Sequence, residues 1–422
     1  MAATRHEHPR GIKCIALSLF CFLCLHNTGQ AQEALRVSLA SEEAAESRRK
    51  AATSFDNYNL KLGPTVWWFG AGLLAEYNNN VNLTANGSKD DFRFRPQINA
   101  RMLWPMTDKN SLNLNIGVGY SAYVQHSELN KVYIPQGSEL SFDLYAGDFR
   151  INLHDRFSIT EGAYEDPTVS GTGDYVRLEN AVGATALWDL NKVIVRFGYD
   201  HVDFLSLSTH GNQPDAWSEL FSSSASYAIK PGLSAGLQLG GGLLNYSGTN
   251  TPFSKSTQWS LGPFFETQIS EHIHFRGSVG YIVYSPESSG TTAAGSDFTG
   301  VYAQIAISHR LNGYVNYTVS GGRSLNFGFY GGTVDMYYAR LRASWNVIQK
   351  VSIDTSFDFE HGTQVSSGNE TFDRYGAGIT FGRAITSKLD GSLGYRFFWR
   401  QSDLAGKNYS ASIVSLNLNY AF

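Results

Sequence analysis

The sequence predicts an all-β fold, a closed antiparallel transmembrane β-barrel of about 18 strands, with 16 strands as the alternative count. Three observations indicate this fold: apolar and polar residues alternate along many segments, tight and long connectors alternate between those segments, and an export signal begins the chain. In such a barrel the short turns are periplasmic and the longer loops are extracellular.

The N-terminus has the parts of a secretory signal peptide. Basic residues between positions 5 and 13 precede an apolar run at 14–25, which is 12 residues long, whereas a membrane-spanning helix needs about 20 residues. Gly29-Gln30-Ala31 then offers the small residues that a signal peptidase reads, so residues 1–31 are predicted to be removed. Because all three cysteines lie in that segment, the mature chain is expected to have no disulfide, thiolate metal site or cysteine nucleophile.

Two regions follow the signal. Residues 32–59 are rich in Ala, Glu and Arg, and we interpret them as a periplasmic leader that contains one short helix or, as the minor alternative, enters the barrel as a plug. Residues 60–422 are predicted to form the barrel. The formal net charge of −4 argues against a nucleic-acid partner, which would require a basic surface.

Strict alternation is the main evidence for the strands. In residues 112–120 every even position is apolar or aromatic, and residues 351–360 and 414–420 repeat the pattern. Successive side chains of a strand point to opposite faces, so each of these segments has one apolar and one polar side. A propeller would show a fixed repeat, which we do not find, and a sandwich would not explain the alternation of connector lengths.

The connectors fall into two sets. The tight set is predicted at residues 105–110, 153–155, 189–191, 230–232, 270–272, 311–313, 349–350 and 386–387. The longer set is predicted at residues 79–90, 128–137, 165–173, 208–216, 248–255, 286–297, 326–333, 364–370 and 403–407. Residues 128–137 and 165–173 are the candidates for a loop that narrows the barrel.

Charged residues on the polar face are predicted to line the lumen, because a charged group that faces hydrocarbon costs about 2–4 kcal/mol for Arg or Lys near the midplane. They would either create a transverse field that selects solutes or form ion pairs that stiffen the wall. The predicted lumen-lining residues are Arg93, Arg95, Arg101, Asp143, Glu179, Arg196, Asp200, Arg276, Arg310, Arg340, Arg342, Asp354, Asp358, Glu360, Arg374, Asp390, Arg396 and Arg400.

Aromatic residues near the strand ends are predicted to form the girdles that lie at the lipid headgroups. This set is Trp67, Trp68, Trp104, Trp188, Tyr199, Trp345, Tyr395 and Trp399.

The last strand ends in Tyr420-Ala421-Phe422, in register with alternating apolar residues. Here the chain resembles bacterial outer-membrane proteins, and the resemblance implies that Tyr420 and Phe422 belong to the signal read by the barrel-assembly machinery. Residues 60–422 as a whole resemble the β-barrel porin 2-like family of outer-membrane porins, some of which are linked to exopolysaccharide export. The resemblance is architectural and transfers no functional residue.

The favoured function is a water-filled pore for passive diffusion of small hydrophilic solutes, with outer-membrane lipid and the assembly machinery as partners and without a cofactor or metal. The alternative is an export or assembly barrel for a polysaccharide, in which lumenal aromatics would stack on sugars. Those aromatics would be Tyr123, Tyr145, Tyr284, Tyr302 and Phe398. A hydrolase built around His361 and the preceding Glu360 is not favoured, because no nucleophile context surrounds any histidine; the chain is predicted not to be an enzyme.

Overall fold

The computed structural model describes residues 58–208, 214–247, 253–288, 297–327, 333–348, 350–365 and 370–422. The predicted signal peptide and almost all of the predicted leader lie outside these residues. No helix in the described part of the chain is long and apolar enough to cross a membrane.

The described strands follow one another along the chain as antiparallel neighbours. They are β1 (Leu60–Leu62), β2 (Thr65–Asn78), β3 (Asp91–Pro105), β4 (Ser111–Tyr123), β5 (Lys131–Ala146), β6 (Phe149–Thr160), β7 (Arg177–Asp189), β8 (Val193–Ser206), β9 (Asp215–Lys230), β10 (Leu233–Ser247), β11 (Phe253–Ser270), β12 (Ile273–Ser288), β13 (Phe298–Arg310), β14 (Val315–Phe327), β15 (Thr333–Ile348), β16 (Val351–Gln364), β17 (Thr371–Ala384), β18 (Leu389–Ser402) and β19 (Tyr409–Ala421).

The sheet closes on itself between the last strand and the second. Strands β2 to β19 each pair with the next, and β19 returns to β2 in a register that runs from Ile413 opposite Asn78 to Ala421 opposite Gly70. The prediction of a closed antiparallel barrel with 18 strands is therefore confirmed. Closure leaves no strand edge, which is what a sheet in hydrocarbon requires.

The short strand β1 extends the closing seam. It pairs with β2 on the same side as β19, beyond the point where β19 ends, with Leu60 opposite Trp67. Asn59 bridges the two strands: its amide group bonds the carbonyl of Phe422, and its side-chain oxygen accepts a hydrogen bond from the Phe69 N–H at 2.5 Å. The beginning and the end of the described chain are thereby joined at one end of the barrel.

The two faces of the wall differ in chemistry as the alternation predicts. On β3, Phe92 and Ile98 point to one side and are 51% and 66% exposed, whereas Arg93 points to the other side and is 3% exposed. Arg93 contacts Tyr164 in the connection between β6 and β7, so its side of the wall is the interior. Residues that are paired across two neighbouring strands lie on the same face, so the registers extend this assignment of faces from β3 to the other strands of the barrel. We call the two sides inward and outward.

One turn and one loop differ from the prediction. The turn predicted at residues 153–155 is wrong, because these residues lie inside β6 and the chain turns instead at Gly147 and Asp148, where Gly147 has a φ of 61°. His154 and Asp155 are consecutive polar residues and therefore resembled a connector, but in a strand they point to opposite faces. The loop predicted at residues 128–137 is shorter, since β5 begins at Lys131.

Leu416→Arg is expected to destabilise the barrel far more than Asn417→Arg on the same strand. Leu416 faces outward and is 47% exposed, and an arginine facing hydrocarbon costs about 2–4 kcal/mol, whereas the neighbouring position faces the polar interior. Denaturant unfolding of the folded protein in phospholipid vesicles measures both free energies of unfolding. Equal losses for the two variants would contradict the assignment of the faces.

Candidate functional site in the barrel interior

The connection between β6 and β7, residues 161–176, folds into the barrel and packs on its inner wall; we call it the inner loop. Its residues Tyr164 and Val169 are 5% and 0% exposed, and they pack with Phe398 of β18 and Ile413 of β19. The loop predicted at residues 165–173 is therefore the one that enters the lumen.

A second connection, between β2 and β3, supports the inner loop. The N–H of Gly171 donates to the carbonyl of Leu83 at 2.9 Å, and Leu83 is fully buried. At Gly173 a Cβ would lie 2.7 Å from the carbonyl oxygen of Val81, so a side chain there would push the two segments apart. The two loops thus form one packed unit inside the wall.

The phenol of Tyr164 is the central contact of the inner loop with the wall. Its oxygen lies 3.2 Å from Arg93 Nη2, 3.0 Å from Arg396 Nη2 and 3.2 Å from Glu76 Oε2. Glu76 in turn pairs with Arg93 at 2.6 Å and with Arg396 at 3.2 Å. Two positive charges and one carboxylate from three strands therefore converge on one hydroxyl of the loop.

Glu161, at the start of the inner loop, extends this network along β3. Its Oε1 lies 3.0 Å from Arg95 Nε and 3.5 Å from Arg93 Nη1, and it also accepts a hydrogen bond from Ser121. Arg95 additionally stacks on the ring of Tyr133, 3.9 Å from its centre. The carboxylate balances guanidinium groups that the strands alone would leave close together.

The main chain of the inner loop binds two further arginines. Arg374 donates to the carbonyl of Tyr164, and Arg400 donates from Nε to the carbonyl of Pro167 at 3.2 Å. Arg400 is fully buried and also pairs with Glu370 at 2.7 Å. The loop is therefore held by both its side chains and its backbone.

Ion pairs continue along the inner wall on β15 and β16. Glu360 pairs with Arg374 at 2.6 Å and with Arg340 at 3.5 Å, and Asp358 pairs with Arg342 at 2.6 Å. Of the arginines in these pairs Arg342 is the most accessible, with 39% of its side chain exposed, so it presents the most guanidinium surface to the lumen.

A separate polar cluster lies on β5 to β8, away from the inner loop. His154 Nε2 lies 2.7 Å from Asp200 Oδ1, and its Nδ1 lies 3.0 Å from Asn152 Oδ1. Asn152 donates from its amide to Asp143 at 3.0 Å. Among the described residues no group of three or more His, Cys, Asp or Glu side chains could hold a metal ion.

Burial raises the pKa of three groups of the inner loop, namely Asp166, Tyr164 and Tyr175. It raises the pKa of the Asp166 carboxyl to about 6, against hydrogen bonds from Thr168 and the charges of Arg177 and Arg374, which lower it. Burial likewise raises the pKa of the Tyr164 phenol to about 12. Asp166 Oδ1 accepts two hydrogen bonds from Thr168, both at 2.8 Å, whereas Oδ2 is buried and accepts none from the described residues. The docked loop therefore favours the protonated form of this carboxyl.

Every charged residue predicted to face the lumen stands at an inward position of its strand, as the cross-strand registers show. The inner loop brings together Arg93 and Arg95 of β3, Arg374 of β17, and Arg396 and Arg400 of β18. The remaining ones are spread around the wall, among them Arg196 on β8, Arg276 on β12 and Arg310 on β13.

The predicted aromatic set needs one correction. Trp67 and Trp68 are consecutive, so they point to opposite faces, and Trp68 lies inward with Arg101 stacked 4.7 Å from its ring centre. The other members stand at outward positions, as do Tyr420 and Phe422. Trp217 and Trp259 also face outward, at 38% and 45% exposure, and the prediction missed them.

The prediction also missed several members of the interior networks. Glu161, Tyr164 and Glu370 lie in connections and bind side chains far away in the sequence, so no local pattern indicates their partners. Four others lie on strands at inward positions, where the alternation of their strands is the signal that could have found them. The missed residues are Glu76, Glu139, Arg156, Glu161, Tyr164, Asp166, Arg177 and Glu370.

Comparison with known proteins finds relatives in structure only. No family model matches the chain, and no curated protein matches it. Among solved structures it is similar to OpdK of Pseudomonas aeruginosa crystallised with vanillate, with a TM-score of 0.50 and 8% identity over 84% of this chain and 99% of that one. It is similar to OccK2 (OpdF) of the same species in complex with glucuronate, with a TM-score of 0.50 and 9% identity over 86% of this chain and 99% of that one.

At these identities the likeness shows the fold alone. It covers nearly the full length of both porins and most of this chain. The chain is an 18-strand β-barrel with the architecture of the outer-membrane porins.

Proposed function

We propose that the protein is a passive outer-membrane pore for small hydrophilic solutes. The observation that carries the proposal is a closed 18-strand wall whose inward positions are polar and charged and whose one side is lined by a docked loop. Barrels of 16 to 18 strands enclose an aqueous channel. An inner loop that is packed on one side of such a channel narrows it.

Carboxylate-bearing solutes fit this interior. The structures with OpdK and OccK2 contain vanillate and glucuronate, which are both small carboxylates. The arginines of β3, β15, β17 and β18 lie along one side of the interior, and guanidinium groups bind carboxylates through paired hydrogen bonds. Most of these arginines also pair with acidic side chains, so they stabilise the wall as well as offering a binding site to the solute.

No specific observation favours the export of a polysaccharide. Of the aromatics that would stack on sugars, Tyr284, Tyr302 and Phe398 are 0%, 6% and 8% exposed, so their rings are covered by protein. No enzymatic activity is proposed either. His361 faces outward and pairs with Asp373 at 2.8 Å, whereas Glu360 faces inward, so the two cannot act together.

The ends of the chain and the outward aromatics complete the proposal. Residues 1–31 act as a cleaved signal peptide and residues 32–59 as a periplasmic leader. The outward aromatics lie at the headgroup levels, and Tyr420 with Phe422 is read by the barrel-assembly machinery. Both C-terminal rings stand at outward positions, in register with the apolar residues of β19, as the proposed signal requires.

The purified mature protein, folded in planar lipid bilayers, is expected to give discrete single-channel conductance steps and to let small sugars swell liposomes. Folding is checked by a heat-sensitive shift in gel mobility. A sealed bilayer that contains folded protein would contradict the proposal, and loss of surface polysaccharide on deletion of the gene would favour the export barrel instead.

Glu76→Gln is expected to admit larger sugars in liposome swelling than the unmodified protein does. The variant leaves Arg93 and Arg396 without the carboxylate that both contact, which weakens the attachment of Tyr164 and of the inner loop. Glu266→Gln removes an equal charge from β11, where Glu266 contacts His274 and not the loop, and should leave the size limit unchanged. Equal size limits in all three proteins would contradict this role of Glu76.

Acid is expected to stabilise the docked inner loop. The pKa of Asp166 is raised from 3.8 to about 6, so the docked loop is most stable at low pH, loses stability as the pH rises between those values and is least stable above about 6. Loop fluctuations in single-channel records should therefore decrease as the pH is lowered through about 6. Asp166→Asn should give few fluctuations at every pH; a pH response that persists in this variant would assign the effect to another group.

A further inference from the structure

Two inward arginines of β3 differ in how they are held. Arg93 is 3% exposed, and the strands and the inner loop enclose it through contacts with Glu76 and Tyr164. Arg95 has 19% of its side chain exposed, and Glu161 is the only carboxylate that forms a salt bridge with it within the described residues. Because Arg95 stands at an inward position, its exposed part faces the interior. Arg95 is therefore the guanidinium group of this pair that a solute can reach.

The guanidinium group of Arg95 is held in one orientation. The centre of the Tyr133 ring lies 3.9 Å from it, and the hydroxyl of Tyr133 donates to Gln97 at 2.9 Å. The ring is therefore fixed at its far end, and it restrains the guanidinium group that stacks on it. A planar group that is already oriented loses little conformational freedom when it binds a carboxylate.

Glu161 binds this pair of arginines through one of its two oxygens. Oε1 lies 3.0 Å from Arg95 Nε and 3.5 Å from Arg93 Nη1, and it accepts the hydrogen bond from Ser121. Oε2 is buried and accepts no hydrogen bond from the described residues. A carboxylate that uses both oxygens forms two parallel hydrogen bonds with a guanidinium group and is bound more strongly. The carboxylate of a solute can therefore compete with Glu161 for Arg95.

Glu161 can leave Arg95 without a change in the wall. It is the first residue after β6, which ends at Thr160, so its backbone is not part of the hydrogen-bonded strand. The rest of the inner loop stays attached, because Tyr164 contacts Arg396 through its hydroxyl and Arg374 through its carbonyl. Movement of one side chain is thus enough to free Arg95.

We propose that Glu161 is an internal competitor at a carboxylate-binding site on Arg95. The carboxylate of a solute replaces that of Glu161, and the return of Glu161 releases the solute. The occupant is a carboxylate because the group that the structure shows on Arg95 is itself a carboxylate. The inference rests on the proposed pore and names one site within it. A pore must bind its solute firmly enough to admit it and weakly enough to release it, and a competitor carried by the inner loop favours release.

Single-channel records with glucuronate test the competitor. Glu161→Gln removes the competing charge at nearly constant size, so the blocking events of glucuronate are expected to last about ten times longer than in the unmodified protein. Glucose, which has a similar ring and no carboxylate, should give equal events in both proteins. Glu266→Gln removes a charge from β11, where Glu266 contacts His274, and should leave the events unchanged. Equal durations for glucuronate in the Glu161→Gln variant and in the unmodified protein would overturn the proposal.

A double-mutant cycle tests whether the effect passes through Arg95. In an Arg95→Gln background, Glu161→Gln is expected to have no further effect on the blocking events, because the contested guanidinium group is absent. The shift in gel mobility on heating checks that each variant is folded. A tenfold effect that persists in this background would assign it to the overall charge of the interior and would overturn the proposal.

A binding measurement separates this inference from the proposed pore. Calorimetry of the folded protein in detergent should show that Glu161→Gln binds glucuronate about ten times more tightly, whether or not the protein conducts. A sealed bilayer together with this result would contradict the pore and support the site. Conductance together with equal affinities would contradict the competitor alone. Chloride that displaces glucuronate as well as an equal concentration of acetate does would overturn the assignment of the site to carboxylates.

Discussion

The structure depends on one constraint: alternate residues must face opposite sides of a wall whose backbone hydrogen bonds are all satisfied within the sheet. The pairing of β19 with β2 completes that wall, and β1 extends it past the last residue. Once the wall is closed, the parity of a residue decides whether it meets hydrocarbon or the interior. Arg93 and Phe94 are adjacent in sequence and are separated by the whole thickness of the wall.

Parity concentrates charge in a confined space, and the interior must then balance it. The strands bring Arg93, Arg396 and Arg374 to one side of the lumen. The acidic side chains of the strands do not accept a hydrogen bond from every N–H of these guanidinium groups. The inner loop supplies a hydroxyl, a carboxylate and main-chain carbonyls to those groups. Loop and arginines therefore stabilise each other, because removal of one partner from a buried ion pair costs roughly 3–5 kcal/mol.

Parity is also the part of this structure that a sequence reveals. The faces of Asp354, Asp358 and Glu360 follow from the alternation of their own strand, and the number of strands follows from the connectors. Trp68 lies inward because its neighbour Trp67 lies outward, and aromatic character alone does not indicate the face of a residue. The contact of Tyr164 with Arg396 joins residues 232 positions apart, and no local pattern in the sequence of the inner loop indicates that partner.

Asp155 shows what an exception to the alternation means. Its charge on the apolar face made β6 resemble a turn, and the fold keeps it in the strand, so the cost of a carboxylate in the apolar band is accepted. An apolar residue would be expected at that outward position, like Leu153 and Phe157 on either side of it. The outward Asn180 on β7 offsets part of that cost, because its amide donates a hydrogen bond to the Asp155 carboxylate at 2.6 Å.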